Sequence, residues 1–477
     1  MLKNVRNYST ISYVLRIYED QIYFKRILPY IIVLLLFQDL LAINIGIISK
    51  PLANIINHFD ELLILICLPF ILLYYKERKW KFDFLFHILM VVFSLGLISS
   101  IIHKVPLIIL IQGAILMFKG FIVLFIFRSI SFTAADLNKF SQLFKKITYI
   151  VLFFAVIDAL FSHQFRGLIN TDHKFDIRMG IISIQSIFTH PSLYGWFLAI
   201  VGFYLLSSYS VNNNKKSGLK SLVLFIASIF SFRFKTTIAI LFNSLFVLVQ
   251  QRFNIAGLKK FRQSKAFLPV IIVSSIVAIV VLYAVVQLSV LTIQRYITID
   301  YTESARKALY IFGFIIAFTQ FPFGVGYGRY GSWTAREYYS PVYVEYELDK
   351  IYGLYSKDPK WATDTYWPSI MGEVGIIGAI LLLSIFIYFI LYIYIGYKTI
   401  QKMEYKVFFL FSIMIITQSL IESLGEQVYN SGPQYLFIFA IIGISLSIIQ
   451  EQIGELHLGI ANKFRKILTK MQAKKEF

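Results

Sequence analysis

The chain has 477 residues, of which 58% are hydrophobic, 17% aromatic and only 15% charged. Soluble domains carry about 25% charged residues and split into separate cores beyond ~250–300 residues, so a mean hydropathy of +0.70 excludes an ordinary soluble enzyme. The formal charge of +20 would suggest nucleic acid in a soluble protein, but the basic residues fall between apolar runs and form no basic patch interleaved with aromatics, so no nucleic-acid partner is expected.

In chain order, residues 1–26 are mixed polar and basic, without the apolar stretch and cleavage site of a signal peptide. They read as a cytoplasmic N-terminal segment. A spanning helix needs roughly 20 mainly apolar residues, and only hydrogen-bonded helices or closed barrels satisfy the backbone in hydrocarbon. Apolar runs predict twelve transmembrane helices, at 27–48, 60–75, 82–102, 105–127, 147–162, 187–207, 219–232, 236–250, 267–291, 367–396, 407–424 and 434–450. The seventh and eighth are short and meet at Phe232-Arg233-Phe234-Lys235, where one broken helix is the alternative. The single cysteine, Cys67, lies inside the second run and leaves no disulfide to form.

Helices one to nine thus fill residues 27–291, and helices ten to twelve fill 367–450. Between them, residues 292–366 form a long loop. Connections beyond ~12–15 residues usually carry function or structure of their own. This one holds an amphipathic stretch from Glu303 to Phe321, then Pro322-Phe323-Gly324-Val325-Gly326-Tyr327-Gly328, then an aromatic tract ending at Trp367. The tail, 451–477, repeats apolar residues at Ile453, Leu456, Ile460, Phe464, Ile467 and Met471 with lysines and arginines between them. That spacing predicts a basic amphipathic helix on the inner leaflet. The expected fold class is an all-α polytopic membrane protein.

Cytoplasmic segments concentrate Lys and Arg. With the N-terminus inside, 30 basic residues fall on the cytoplasmic side and 15 outside, eight of the latter in the long loop, while Lys119 lies within a span. Both termini are therefore expected in the cytoplasm and the loop in the periplasm.

That topology leaves Arg178, Arg233, Lys235, Arg306 and Arg329 on the outer side, against the insertion bias. Arginine presents a planar fork of donors suited to phosphate and stays charged where water is scarce. A group of them at the membrane surface suits a lipid-linked pyrophosphate; snorkelling to lipid phosphate is the alternative. Gly324, Gly326 and Gly328 form no dinucleotide fingerprint, because no βαβ unit surrounds them. They permit a tight turn or a close approach of backbone to a ligand. Asp39, Asp158, Asp300, Glu303, Asp364, Glu373, Glu422 and Glu426 are the acidic residues near this face. Asp364 closes the long loop, and Glu373 sits about two turns inside span ten, where an ionisable group is a functional candidate or half of an ion pair. His163, Asp172, His173 and Asp176 match no familiar ligand spacing, so no metal and no cofactor are expected.

Three segments resemble the bacterial O-antigen polymerase and O-antigen ligase family of multispanning glycosyltransferases. They are Arg178-Met179-Gly180 with Phe188-Thr189-His190-Pro191-Ser192-Leu193-Tyr194-Gly195, then Arg233 with Lys235-Thr236, then Glu303-Ser304-Ala305-Arg306 through Phe321-Pro322-Phe323-Gly324-Val325-Gly326 to Asp364-Thr365-Tyr366 and Glu373-Val374-Gly375-Ile376-Ile377-Gly378. The resemblance covers about residues 175–380 and the hydropathy profile. Where the ligases have a histidine this chain has Asp364, which looks more like the polymerases.

The resemblance implies a metal-independent glycosyltransferase of lipopolysaccharide biosynthesis in the bacterial inner membrane. It would move a glycan from undecaprenyl pyrophosphate to a hydroxyl of another lipid-linked repeat unit on the periplasmic face. Arg178, Arg233, Lys235, Arg306 and Arg329 would bind pyrophosphate, Asp364 or Glu373 would serve as base, and Gly324, Gly326 and Gly328 would lie near substrate. Tyr327, Tyr330, Trp333, Tyr338, Tyr339, Trp361, Tyr366 and Trp367 are candidates to stack on sugars, or to form an interfacial aromatic belt. Membrane lipids and a chain-length regulator protein are the further partners implied. The alternatives are an O-antigen ligase and, from a different class, a flippase or exporter of lipid-linked oligosaccharide. A flippase would show two halves of matching hydropathy, whereas this chain has one lopsided outer loop.

Overall fold

The computed structural model describes residues 21–77, 82–171, 175–178, 180–250 and 300–452. Helix fills most of every apolar run predicted to span, except 267–291, which lies outside the described residues, as does the predicted tail helix beyond residue 452.

The first two runs are not straight. Gln21–Leu36 (α1) and Gln38–Ile48 (α2) meet at Phe37 with a bend of 69°, and Lys50–Asn57 (α3) and Phe59–Glu77 (α4) meet at His58 with a bend of 50°. α2 and α3 pack against each other as a short helical hairpin. Next come Phe84–Ile102 (α5), Leu107–Arg128 (α6), Ala134–Leu160 (α7) and Ser162–Leu168 (α8). Their starts follow ordinary capping rules. Asp83 accepts from the Phe86 amide at the head of α5, and Thr133 with Asp136 forms a capping box at the head of α7.

A two-residue antiparallel ladder pairs Ile177 with Ile182 and Arg178 with Ile181. This small departure from an all-α chain fixes the backbone at Arg178. Pro191–Asn212 (α9), Lys215–Ile229 (α10) and Phe234–Gln250 (α11) follow. α10 and α11 are separate helices, both packed on α9, and the turn between them puts Phe232 at φ +49°.

The chain continues through Ala305–Thr319 (α12), Trp333–Glu337 (α13), Pro341–Glu345 (α14), Trp367–Thr399 (α15), Met403–Glu422 (α16) and Gln434–Gln452 (α17). Among the described residues α5, α6, α9, α15, α16 and α17 are each long and apolar enough to cross a membrane, giving 6 spans, or up to 8 if each bent pair counts as one. Of the other predicted spans, those matching α10 and α11, at 15 and 17 residues, are short, that matching α7 begins in a polar stretch, and 267–291 lies outside the described residues. Most of the bundle shares one apolar core.

Residues 300–366 fold as a cap with a second core. Leu309, Ile316, Val325, Tyr330, Tyr343 and Leu348 are among its buried members. The amphipathic stretch becomes α12, capped by Ser304 and packed on α15. After it the chain dives into the bundle. The Gly324 carbonyl accepts from Ser99 Oγ at 2.5 Å, the Tyr327 amide donates to Ser100 Oγ at 2.9 Å, and the Val325 amide donates to the Gly372 carbonyl at 2.8 Å. A Cβ on Gly324 would lie 2.2 Å from that same carbonyl, so only glycine permits this approach. α15 answers with a break at Gly375, whose φ of +78° lies in the left-handed region.

Candidate functional site

Four helix ends converge beneath the cap: the N-termini of α9, α11, α12 and α15. Each N-terminus carries partial positive charge, and the residues gathered there are strongly ionic. Asp176 binds two guanidiniums, accepting from Arg178 Nε at 3.2 Å and pairing closely with Arg233. Arg178 also donates to the Phe232 carbonyl at 2.9 Å, tying the small ladder to the α10–α11 turn. His190, which caps α9, places Nε2 3.2 Å from Arg233.

Lys235 pairs with Glu426 just beyond α16. Glu422, whose Oε1 accepts from Thr236 at 2.9 Å and Gln418 at 3.0 Å, acts on the same ammonium, as do Arg233, Arg306 and Asp364. Arg306, in the first turn of α12, donates to Asp364 at 2.9 Å. The cap is held over this site by Tyr310, which donates to the Leu424 carbonyl at 2.8 Å, and by Trp367, which donates to Ser423 at 2.9 Å.

Arg178, Arg233, Lys235 and Arg306 are thus brought together, and Asp176, Asp364, Glu422 and Glu426 lie among them. The cluster holds its cations in place with carboxylates yet is not sealed: side chains of Arg306 and Asp364 keep 24% and 29% of their surface. Burial raises the Asp364 carboxyl above its ordinary value of 3.8, with Arg306 and Lys235 pulling the other way. Burial would also raise Asp176, but Arg233 and Arg178 together hold it below the ordinary value. Burial, with Arg233 and Lys235 close by, pushes the His190 imidazole down to about 3, which leaves it neutral at physiological pH.

Other expected site residues lie elsewhere. Arg329 is half-buried and faces the charge of Glu345; among the described residues no ion pair links it to the cluster. Glu373 is buried, and its carboxylate is held by the backbone N–H groups of Gly328, Arg329 and Tyr330 and by Ser332. It anchors the glycine segment. Gly324 packs on α15, Gly326 on Ser100 of α5 and Gly328 on Ile109 of α6, so the space each leaves is filled by protein. Tyr327, Tyr330 and Tyr366 are fully buried core residues, while Trp333, Tyr338 and Trp361 remain exposed.

Asp158 is likewise structural, accepting from Arg166 at 2.7 and 3.0 Å and from the Gln185 amide at 2.8 Å. Asp172 and His173 lie outside the described residues, and Asp176 belongs to the arginine cluster. Sequence reading did not connect Asp176 or His190 to the cations. The signal was present only in part, as the Arg178 and His190 segments were read for resemblance and not as neighbours of Arg233. Comparison with known families and with curated proteins finds no matching family model and no matching sequence.

Proposed function

We propose that the chain is a metal-independent membrane glycosyltransferase that polymerises a surface polysaccharide such as O-antigen from undecaprenyl-pyrophosphate-linked repeat units. One observation carries this reading. Arg233, Lys235 and Arg306 gather at helix N-termini, with Arg178 of the small ladder, beside a partly exposed carboxylate, where the pyrophosphate of the donor and a glycan hydroxyl of a lipid-linked acceptor could meet.

In the proposed reaction the acceptor hydroxyl oxygen attacks the anomeric carbon of the donor glycan. The bond from that carbon to the pyrophosphate oxygen breaks, and undecaprenyl pyrophosphate leaves with the electron pair. Asp364 takes the hydroxyl proton. Arg233, Arg306 and Lys235 stabilise charge developing on the leaving pyrophosphate, and fixed donors at low dielectric do this without reorganising. Arg178 and Asp176 orient Arg233. The raised affinity of Asp364 for a proton strengthens it as a base. Glu373, spent on the glycine segment, supports the cap.

The site would face the periplasm, with both termini in the cytoplasm. The test is the glycan profile of cells carrying Asp364→Asn. Loss of long chains with retention of a single-repeat band supports polymerisation, because ligation remains intact. Loss of the single-repeat band as well would favour the ligase, and a wild-type ladder would overturn the role of Asp364.

A further inference from the structure

A cavity of about 130 Å³ lies among α1, α4, α6, α7, α9, α16 and α17, far from the charged cluster. Along α16 its wall residue Phe411 is eleven residues from Glu422, or about 16 Å at 1.5 Å per residue. Cys67, Val201 and Ala440 are typical of the wall. Polar groups are few. Ser141 and Tyr204 bond to each other, and Lys145 stands exposed at the rim, where no carboxylate pairs with it among the described residues.

Water is a poor occupant, because an ordered molecule needs two to four polar partners and these walls offer almost none. An empty void forfeits dispersion contacts on every side. The helices around it belong to a membrane bundle, so hydrocarbon chains are the apolar material at hand. An ammonium at the rim completes the match, because a phospholipid places a phosphate at one end of such a chain. We propose that this cavity holds a short stretch of one acyl chain of a resident phospholipid, with the lipid phosphate on Lys145.

The occupant is independent of the transfer reaction. The full chain would be placed in nanodiscs of phosphatidylethanolamine, phosphatidylglycerol and undecaprenyl phosphate, then moved into a stripping detergent and weighed by native mass spectrometry. Wild-type protein should retain one phospholipid. Ala440→Phe, which fills the cavity, should lower retention at least tenfold. Lys145→Glu should lower it comparably, and because Lys145 is exposed that variant leaves the interior packing intact. Equal retention in all three proteins, or retention of undecaprenyl phosphate in place of phospholipid, would overturn the proposal.

Discussion

Two of the charged groups in this bundle are built to opposite specifications. The inner one buries its cation. Lys119 of α6 contacts Glu61 at 3.0 Å and Asp60 at 3.8 Å, with Lys119 and Asp60 each only 6% exposed and Glu61 keeping 35%, while Tyr435 and Gln38 donate to the same aspartate at 2.8 and 3.3 Å. The outer one pairs its cations equally well but leaves them partly accessible. Buried charges left without partners are very costly, and a pair that cannot be reached by solvent acts as a tie between helices. Partly exposed pairs can exchange one partner for another. Accessibility of the cation, 6% for Lys119 against 13–24% for Arg178, Arg233, Lys235 and Arg306, therefore separates the structural cluster from the candidate site.

The largest expected effect breaks the inner group. Lys119→Met would leave Asp60 and Glu61 without their cation, a change of the kind that costs ~3–5 kcal/mol. The protein should largely vanish from membranes by immunoblot, and adding Asp60→Asn should restore part of it. Undiminished levels of the single variant would mean that the inner cluster is not the tie described.

In the outer group the same kind of truncation should spare the fold and remove the chemistry. Arg233→Ala or Arg306→Ala should lower transfer by about 10²–10³-fold, as loss of one preorganised donor typically does, at near wild-type abundance. Lysine at either place should restore only part, since it keeps charge but loses the fork.

Asp364 sharpens the contrast through pH. Its folded proton affinity lies above the ordinary value of 3.8, so its effect on stability runs opposite to that of a typical salt-bridged aspartate. Its favourable contribution is present below the unfolded pKa and is lost as pH rises through the folded one. At neutral pH the ionised form strains the fold, so Asp364→Asn should abolish long chains without lowering the melting temperature. The acid limb of the wild-type rate should lie above 3.8, and Arg306→Gln should move the limb of its residual activity higher still. A limb unmoved by Arg306→Gln would separate that arginine from the base.

The smallest effect concerns Asp176. Because it occupies both Arg178 and Arg233, it competes with any incoming anion. Asp176→Asn should tighten pyrophosphate binding severalfold, a gain of under about 1.4 kcal/mol.

Much of this was readable from the sequence, for definite reasons. Long apolar runs gave the helices, and cations that the expected topology puts outside stood out against the insertion bias, so Arg178, Arg233, Lys235 and Arg306 could be singled out. Their counter-ions could not. Asp176 is 57 residues from Arg233 and Asp364 is 58 from Arg306, and no periodicity reports such pairings. Asp60 reads as an ordinary acid at a helix start, where the dipole favours it, and only the fold shows it against Lys119. Glu373 looked like a candidate base because a carboxylate in a span is unusual. Its true surroundings, the amides of residues 328–330, come from a loop more than forty residues earlier. The bends at Phe37 and His58 were hidden because a broken apolar run has the same hydropathy as a straight one.

The central claim is that the outer cluster is an anion site assembled from distant cations. It is tested most directly by titrating inorganic pyrophosphate into the purified protein in nanodiscs by calorimetry. The account predicts saturable binding weakened at least tenfold, about 1.4 kcal/mol, by Arg233→Ala or Arg306→Ala and unchanged by Arg329→Ala. Binding that is absent in the wild type, or weakened equally by the Arg329 substitution, would contradict it.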